Sequence, residues 1–566
     1  MSHNENLFKG SIGRTYQDSQ PWWPDELPAR KGAPNIVIIV LDDVGFADLG
    51  CYGSEIATPC MDRLARNGVR YSNFHVTSMC SPTRAGLFTG RNAHAVGMGI
   101  IAEWSSGYPG YRGQVTAQAA TIPEVLRDYA YGTYAVGKWH LTNIAHYGAA
   151  GPQDNWPLGR GFSRWYGFHG ALTDQWNPEL YQDNRPIHLH PGEAYHLSAD
   201  LVDHAIGDIR DHKTSAPHRP FLLYLAFGAC HFPHHVPRQF IEKYRGRYDI
   251  GWDAVRATRL ERQHKLGIVP AGTGLAPLRR LCARLQETYA AFLEHTDAQI
   301  GRLIEYLDSL GNLEDTLIVL LSDNGASPEG GPTGAFNLRK HMVYEEESPE
   351  TGLSRLDDIG GDLAFNHYPT GWAQASNTPL KWYKKDTHGG GIRAPLIIHW
   401  PQGISARNAI RAQFHHVVDI APTLYELVAV EAPTQYRGAP QMPLHGTSMA
   451  YTFEADVPTR KEIQHFEMLG DRAIWHRGWK AVARHPKGTD FDADQWELYH
   501  LDDDFAELND LAAAGLNCGR DAGAPISDAY QRPFRFSGRS LRVTIELEGD
   551  VTHNPGAAYQ AVLREQ

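Results

Sequence analysis

The chain has 566 residues, 42% of them hydrophobic and 21% charged, with a formal net charge of −12 at pH 7. This is ordinary globular composition, which argues against disorder, and the thin negative balance offers neither a basic face for nucleic acid nor a polybasic patch for a membrane. No apolar run approaches the roughly 18 residues of a membrane helix. The opening stretch MSHNENLFKGSIGRTYQ lacks the apolar region of a secretory signal, and six scattered cysteines make no disulfide framework. A reduced, cytoplasmic protein is expected.

Taken in chain order, short apolar runs alternate with amphipathic stretches. NIVIIVL (35–41) is apolar on both faces, as a central parallel strand requires, and TPCMDRLARNG (58–68) follows with helical spacing. MCSPTRAGLFTGR (79–91) then reads as a small polar turn holding a cysteine outside any apolar run, with no second thiol or imidazole beside it to share a zinc ion. Thr121-Ile-Pro-Glu124 is a capping box that opens a helix, and GTYAVGKWH (132–140) is the next strand. A helix is predicted over SADLVDHAIGDIRDH (198–212), a buried strand at FLLYLAF (221–227), and a long helix from about Leu278 to Leu310. TLIVLL (316–321) and APLIIHW (394–400) are further strands, and VVDIAPTLYELV (417–428) is a further helix. The segment 326–380, rich in Gly, Pro and Asn, is long for a connection inside a compact domain and reads as a functional loop.

This alternation predicts an α/β fold with a large, mostly parallel, doubly wound sheet flanked by helices over residues 1–455. Residues 456–566 read as a smaller C-terminal subdomain, an antiparallel sheet plus helix, with a tail whose one strand candidate is LRVTIELEG (541–549).

In open α/β sheets ligands bind beyond the carboxyl ends of the strands. There the sequence places Asp42-Asp43, Lys138-Trp139-His140, His231 and Ser322-Asp323-Asn324, with Lys384-Lys385 shortly before APLIIHW. One aspartate after a strand is usually a turn or cap residue, and one histidine is usually a satisfied core residue. Five such clusters together are another matter. Three carboxylates and an amide form a hard oxygen set suited to calcium or magnesium, and nearby lysine, histidine and arginine suit a tetrahedral oxyanion.

Cys80-Ser81-Pro82-Thr83-Arg84 with Gly90-Arg91 closely resembles the signature of the type I sulfatases, members of the alkaline phosphatase-like superfamily. The resemblance spans nearly the whole chain, through PNIVIIVLDDVGFADLG (34–50), VGKWHL (136–141), ACHFPHH (229–235), LSDNGASPEGG (321–331) and SNTPLKWYKKDTHGGGIRAPLIIHWP (376–401). Within the family the chain resembles bacterial arylsulfatases that lack an export signal. The resemblance implies that a formylglycine-generating maturation enzyme oxidises Cys80 to formylglycine. It also implies that Asp42, Asp43, Asp323 and Asn324 bind one Ca2+ whose shell the modified Cys80 completes. By the same resemblance Arg84 holds the formylglycine hydrate, while Lys138, His140, His231 and Lys384 surround the sulfate. Gly389 stands where many members have glutamate.

The implied reaction is hydrolysis of a small sulfate ester through a covalent sulfo-enzyme intermediate. An aldehyde hydrate carries two hydroxyls on one carbon, one to attack sulfur and one to release sulfate. His231 is the candidate acid for the leaving alcohol and His140 the candidate base. A divalent ion, three carboxylates and three cations leave the site near +2, which suits a monoanion. That class includes sulfate monoesters, and also the phosphonate monoesters and phosphodiesters of an alternative hydrolase reading. A non-catalytic anion-binding protein is a third reading, separated by the mass of the peptide around Cys80. Substrate choice is assigned to the loops 97–113 and 326–380, where Trp104, Tyr108 and Tyr368 are candidates to stack on an aryl group.

Overall fold

The computed structural model describes residues 8–22, 32–148, 150–190, 192, 195–275, 283–342, 352, 354–512, 520–521 and 534–535. At its centre lies a ten-stranded sheet. Its first strands are β1 (Asn35–Leu41) and β2 (Val69–Tyr71); a two-residue strand β3 (Phe74–His75) pairs elsewhere, with His415–His416. The sheet continues with β4 (Gly132–Lys138), β5 (Arg164–Phe168), β6 (Leu180–Gln182), β7 (Arg185–Ile187), β8 (Phe221–Ala226), β9 (Thr316–Ser322), β10 (Leu396–His399) and β11 (Ala409–Arg411).

The spatial order is β11-β2-β10-β9-β1-β8-β4-β5-β6-β7. The five central strands from β9 to β5 run parallel, as runs apolar on both faces require. The strand read from APLIIHW, β10, inserts antiparallel to both β9 and β2, and β6 and β7 close the other edge in antiparallel fashion. The sheet is therefore mixed, with a parallel centre.

The two-residue period of β1 divides the protein into two cores. Ile36, Ile38 and Val40 join the layer containing Leu87 and Phe88 of helix Cys80–Thr89 and Leu424 of helix Ile420–Val428. Val37, Ile39 and Leu41 join the opposite layer with Leu201 of helix Leu197–Ser215 and Phe292 of helix Ala283–Ser309. The long helix predicted from about Leu278 thus holds from Ala283, and residues 278–282 lie outside the described set. The capping box forms as predicted: Thr121 accepts from the Glu124 N–H and the Glu124 carboxylate accepts from the Thr121 N–H.

The C-terminal sheet pairs Ile463–Met468, Asp471–His476, Trp479–Ala483 and Trp496–His500 antiparallel in sequence order. Among the described residues only a 3-10 turn, Phe491–Ala493, accompanies it, and LRVTIELEG lies outside them. This sheet builds its own small apolar cluster, which takes in two residues of the α/β part. Trp475 stacks on Phe414 with centroids 3.7 Å apart, and Phe466, Val482 and Tyr499 share a cluster with Ile392 and Phe414. No helix among the described residues is long and apolar enough to cross a membrane.

Candidate active site

The cysteine that the sequence places in a polar turn is instead the first residue of a helix, Cys80–Thr89, whose ten residues are all buried. Pro82 is tolerated because it falls in the first turn, where its missing N–H costs no helical bond, and Gly90 ends the helix at φ +66°. The helix packs through one face against the central strands, which aims its N-terminus at their carboxyl ends. Cys80 is 2% exposed, and its Sγ lies 3.1 Å from His140 Nδ1.

The remaining site residues are brought there by strand ends and backbone packing. Gly137, at φ +101°, lets β4 approach β8 closely, since a Cβ there would lie 1.8 Å from the Ala226 carbonyl; Lys138 follows directly. Gly325 packs against the glycine loop, where a Cβ would meet the Gly390 carbonyl at 1.8 Å, and its N–H donates to Gly391. This brings the 384–391 loop against Asn324. Lys384 N–H donates to Ala326 and Lys385 N–H to Ser78, pinning the two lysines between the end of β9 and the Cys80 helix. Asp43 and His140 both have left-handed backbones, φ 57° and 58°, a conformation uncommon outside glycine, though Asp and His enter it more readily than most, and concentrated at functional sites.

The charged groups interlock. Lys138 Nζ donates to Asp42 Oδ2 at 2.6 Å. Arg84 donates to Asp323 Oδ2 through Nε and a terminal nitrogen, at 3.0 and 2.6 Å, and its other terminal nitrogen bonds the Lys138 carbonyl and the Tyr224 hydroxyl. The Asn324 amide donates to Asp43 Oδ1 at 2.6 Å, and Lys384 Nζ lies 2.9 Å from the same oxygen. Asp42, Asp43, Asp323, Asn324, Arg84 and Lys138 are all at most 1% exposed. Yet Asp42 Oδ1 and Asn324 Oδ1 are buried and accept no hydrogen bond. Two orphaned hard acceptors, a carboxylate oxygen and an amide oxygen, in a cluster of three carboxylates and an amide fit a divalent cation of the calcium or magnesium type. Burial and the adjacent Asp323 push Asp42 up to about 7, the strain expected of a carboxylate cluster that a cation would relieve.

Of the three histidines in ACHFPHH, only His231 reaches this cluster: its Nε2 is 3.8 Å from Asp43 Oδ2, and with Asp42 and Asp43 it offers ligand atoms within 4.8 Å of one another. His235 turns away to the Ala364 carbonyl. Burial and Lys384 push His231 down to about 3. His140 behaves oppositely. Burial alone would lower it, but Cys80 and Glu103 outweigh burial and raise it to about 9.

Two carboxylates with no role assigned from sequence take part. Glu103 Oε2 accepts from His140 Nε2 at 2.7 Å, while its Oε1 accepts from the Ala171 N–H at 3.1 Å. Glu329 sits 3.3 Å from Lys384 Nζ and 3.0 Å from Lys385 Nζ, and accepts from the Ser327 hydroxyl at 2.9 Å. Burial would raise Glu329, but Lys384 and Lys385 hold it well below the usual carboxylate range. Each is the sole acid of its local stretch, Glu103 in 97–113 and Glu329 in 324–342, the one sequence signal that marks them.

A cleft of about 660 Å³ opens above Lys384 and Lys385. Trp104 and Tyr111 line it on the α/β side, and Leu469 and Arg484 of the C-terminal sheet line it on the other. Trp104 thus stands where the sequence suggests. Tyr108 lies outside the lining, and Tyr368 is fully buried against Tyr289 and His234, so it cannot stack on a ligand. The C-terminal wall was not foreseen.

Comparison with known proteins accords with this geometry. The family model described as "Sulfatase" matches residues 34–430, and that described as "N-sulphoglucosamine sulphohydrolase, C-terminal" matches residues 380–516. The chain is 33% identical over 520 residues to an uncharacterized sulfatase of Schizosaccharomyces pombe, covering 86% of this chain and 91% of that protein. It is 30% identical over 459 residues to an arylsulfatase of Klebsiella aerogenes, covering 76% and 95%. The crystal structure of Ps i-CgsB in complex with k-i-k-neocarrahexaose shares the fold, with a TM-score of 0.60, 23% identity, and coverage of 86% and 90%. The chain belongs to the sulfatase family, with an alkaline phosphatase-like fold, and is a sulfuric ester hydrolase.

Proposed function

We propose that this protein hydrolyses aryl sulfate monoesters at Cys80 after its conversion to formylglycine, beside one calcium ion held by Asp42, Asp43, Asp323 and Asn324. The observation that carries this reading is the meeting of a buried helix-terminal cysteine, a histidine 3.1 Å from its sulfur, and buried lysines around a cluster with orphaned hard acceptors. The cation would supply charge neutralisation, and the aldehyde hydrate two hydroxyls on one carbon. Lys138 and Lys384 would neutralise the sulfate oxygens, an effect worth several kcal/mol per well-placed group. Arg84 would act by fixing Asp323, to which it makes two bonds. His140, held through Nε2, presents Nδ1 to the side chain of residue 80; conversion to the neutral hydrate removes the Cys80 sulfur that favours the cation, and the neutral imidazole would take a proton there. His231 has Nδ1 bonded to the Phe232 carbonyl, so Nε2 is its free face. The anionic ester would draw onto Nε2 the proton that the departing alcohol needs.

Trp104 and Tyr111 in the cleft support phenolic esters as the class. Because Cys80 is buried, a maturation enzyme would act before the fold closes. The test is mass spectrometry of the peptide spanning Cys80 from active enzyme. A fraction carrying the aldehyde is expected, and only unmodified thiol in fully active enzyme overturns the proposal. A modestly cationic site that suits a monoanion also admits phosphonate monoesters and phosphodiesters; relative rates on phenyl sulfate and phenylphosphonate esters separate the two readings.

A further inference from the structure

The sulfate pocket contains a negative charge that its chemistry does not require. Lys384 is shared between Asp43 on one side and Glu329 on the other. Glu329 is no solvated surface acid. Its side chain is 21% exposed, bonded to the Ser327 hydroxyl and flanked by Lys384 and Lys385. It is ionised, and it takes no part in the oxygen cluster formed by Asp42, Asp323 and Asn324.

We infer that Glu329 is a specificity-determining residue that biases the pocket against dianions, rejecting phosphate monoesters and hastening departure of the inorganic sulfate product. This rests on the sulfate-pocket reading above. The physical basis is a difference of one charge. A sulfate monoester is a monoanion, whereas inorganic sulfate, and most of a phosphate monoester at neutral pH, are dianions. An oxygen held by Lys384 Nζ would lie about 5–6 Å from the Glu329 carboxylate. At an effective dielectric near 20, the repulsion per added charge amounts to about a hundredfold in affinity. Lys385, on the solvent side at 3.0 Å, offsets much of that field, leaving about tenfold discrimination. The substrate bears this repulsion once and the product twice, so Glu329 weakens product binding more than substrate binding.

The test is calorimetric titration of the calcium-loaded Cys80→Ala protein, which cannot turn over, with inorganic sulfate and with methyl sulfate as the monoanion. Adding Glu329→Gln should tighten inorganic sulfate at least about tenfold more than methyl sulfate. Equal tightening of both anions, or none, overturns the inference while leaving the sulfate pocket intact. Glu329→Asp, which keeps the charge, should preserve the parental ratio of the two affinities; a ratio shifted as in Glu329→Gln overturns the charge argument, assigning the effect to geometry. Binding of neither anion to Cys80→Ala overturns the pocket reading and this inference with it.

Discussion

Glu103 is the most direct place to ask whether His140 acts as a base. The imidazole is held at both ends, by the residue 80 side chain at Nδ1 and by Glu103 Oε2 at Nε2, 2.7 Å away. A charge-assisted hydrogen bond contributes about 1.5–3 kcal/mol and a neutral one about 0.5–1.5. Glu103→Gln should therefore cost about 1–1.5 kcal/mol in any step where His140 becomes cationic, close to tenfold in rate. Glutamine has one acceptor where Glu103 uses two, so it must also choose between His140 and the Ala171 N–H. Glu103→Ala leaves the imidazole N–H unpaired in a largely buried site and should cost about 2–3 kcal/mol, or some 30- to 150-fold. Glu103 touches none of the lysines, so the loss should fall on kcat, with KM within about twofold. Steady-state kinetics on nitrophenyl sulfate, with melting temperatures as a folding control, make the measurement. Unchanged kcat in both variants, or a loss residing in KM, would refute the argument that Glu103 supports proton transfer at His140.

Three further outcomes are expected. Asp323→Ala should lower calcium occupancy and activity together, since it removes a carboxylate and frees Arg84; elemental analysis finding stoichiometric zinc without calcium in active parent enzyme would contradict the assignment. His231→Ala should lose much activity on phenyl or alkyl sulfates and little on nitrophenyl sulfate, because proton donation matters most for poor leaving groups; equal losses would mean that His231 only positions sulfate. Burial pushes His169, His295 and His399 down to about 3, 4 and 4 from 6.5. Folded values below unfolded ones mean that their stability contribution is complete above pH 6.5 and is lost as pH falls toward 4, up to about 2 kcal/mol each by pH 5. Melting temperature should fall between pH 6.5 and 5, and a flat profile would show that these imidazoles stay accessible to protons.

The parallel centre of the sheet was readable because strands such as NIVIIVL are apolar on both faces, a pattern only a strand covered on both sides can satisfy. The direction of β10 was not readable. APLIIHW carries the same apolar signature whether it pairs parallel or antiparallel, and only the long connection before it decides. Cys80 was misplaced for a related reason. Ser, Pro and Thr look like turn residues, but a helix N-terminus favours the same types, and the burial of all ten residues comes from packing that no local pattern records.

The site itself divides along the same line. Asp42, Asp43, Asp323 and Asn324 follow strand runs, so topology alone converges them. Glu103 lies in the 3-10 turn Ala102–Trp104 and Glu329 in a turn, neither at a strand end, and they enter through hydrogen bonds and ion pairs to His140, Ser327 and the two lysines. The same division explains Gly389. Where the sequence lacks a glutamate, Glu507 from beyond the C-terminal sheet accepts from the Gly389 N–H at 2.9 Å and pairs with the buried Lys480. His388, just before it in the chain, is held by Asp386 at 2.7 Å and by Glu497 of that sheet at 3.0 Å. The loop that carries Lys384 is thus clamped by two carboxylates lying more than 100 residues later in the chain. The C-terminal sheet serves as a second support for the loop that carries Lys384, and for the cleft wall formed by Leu469 and Arg484. Strand periodicity can announce such a sheet, but its contact with the Lys384 loop is a tertiary pairing, visible only once both partners have folded.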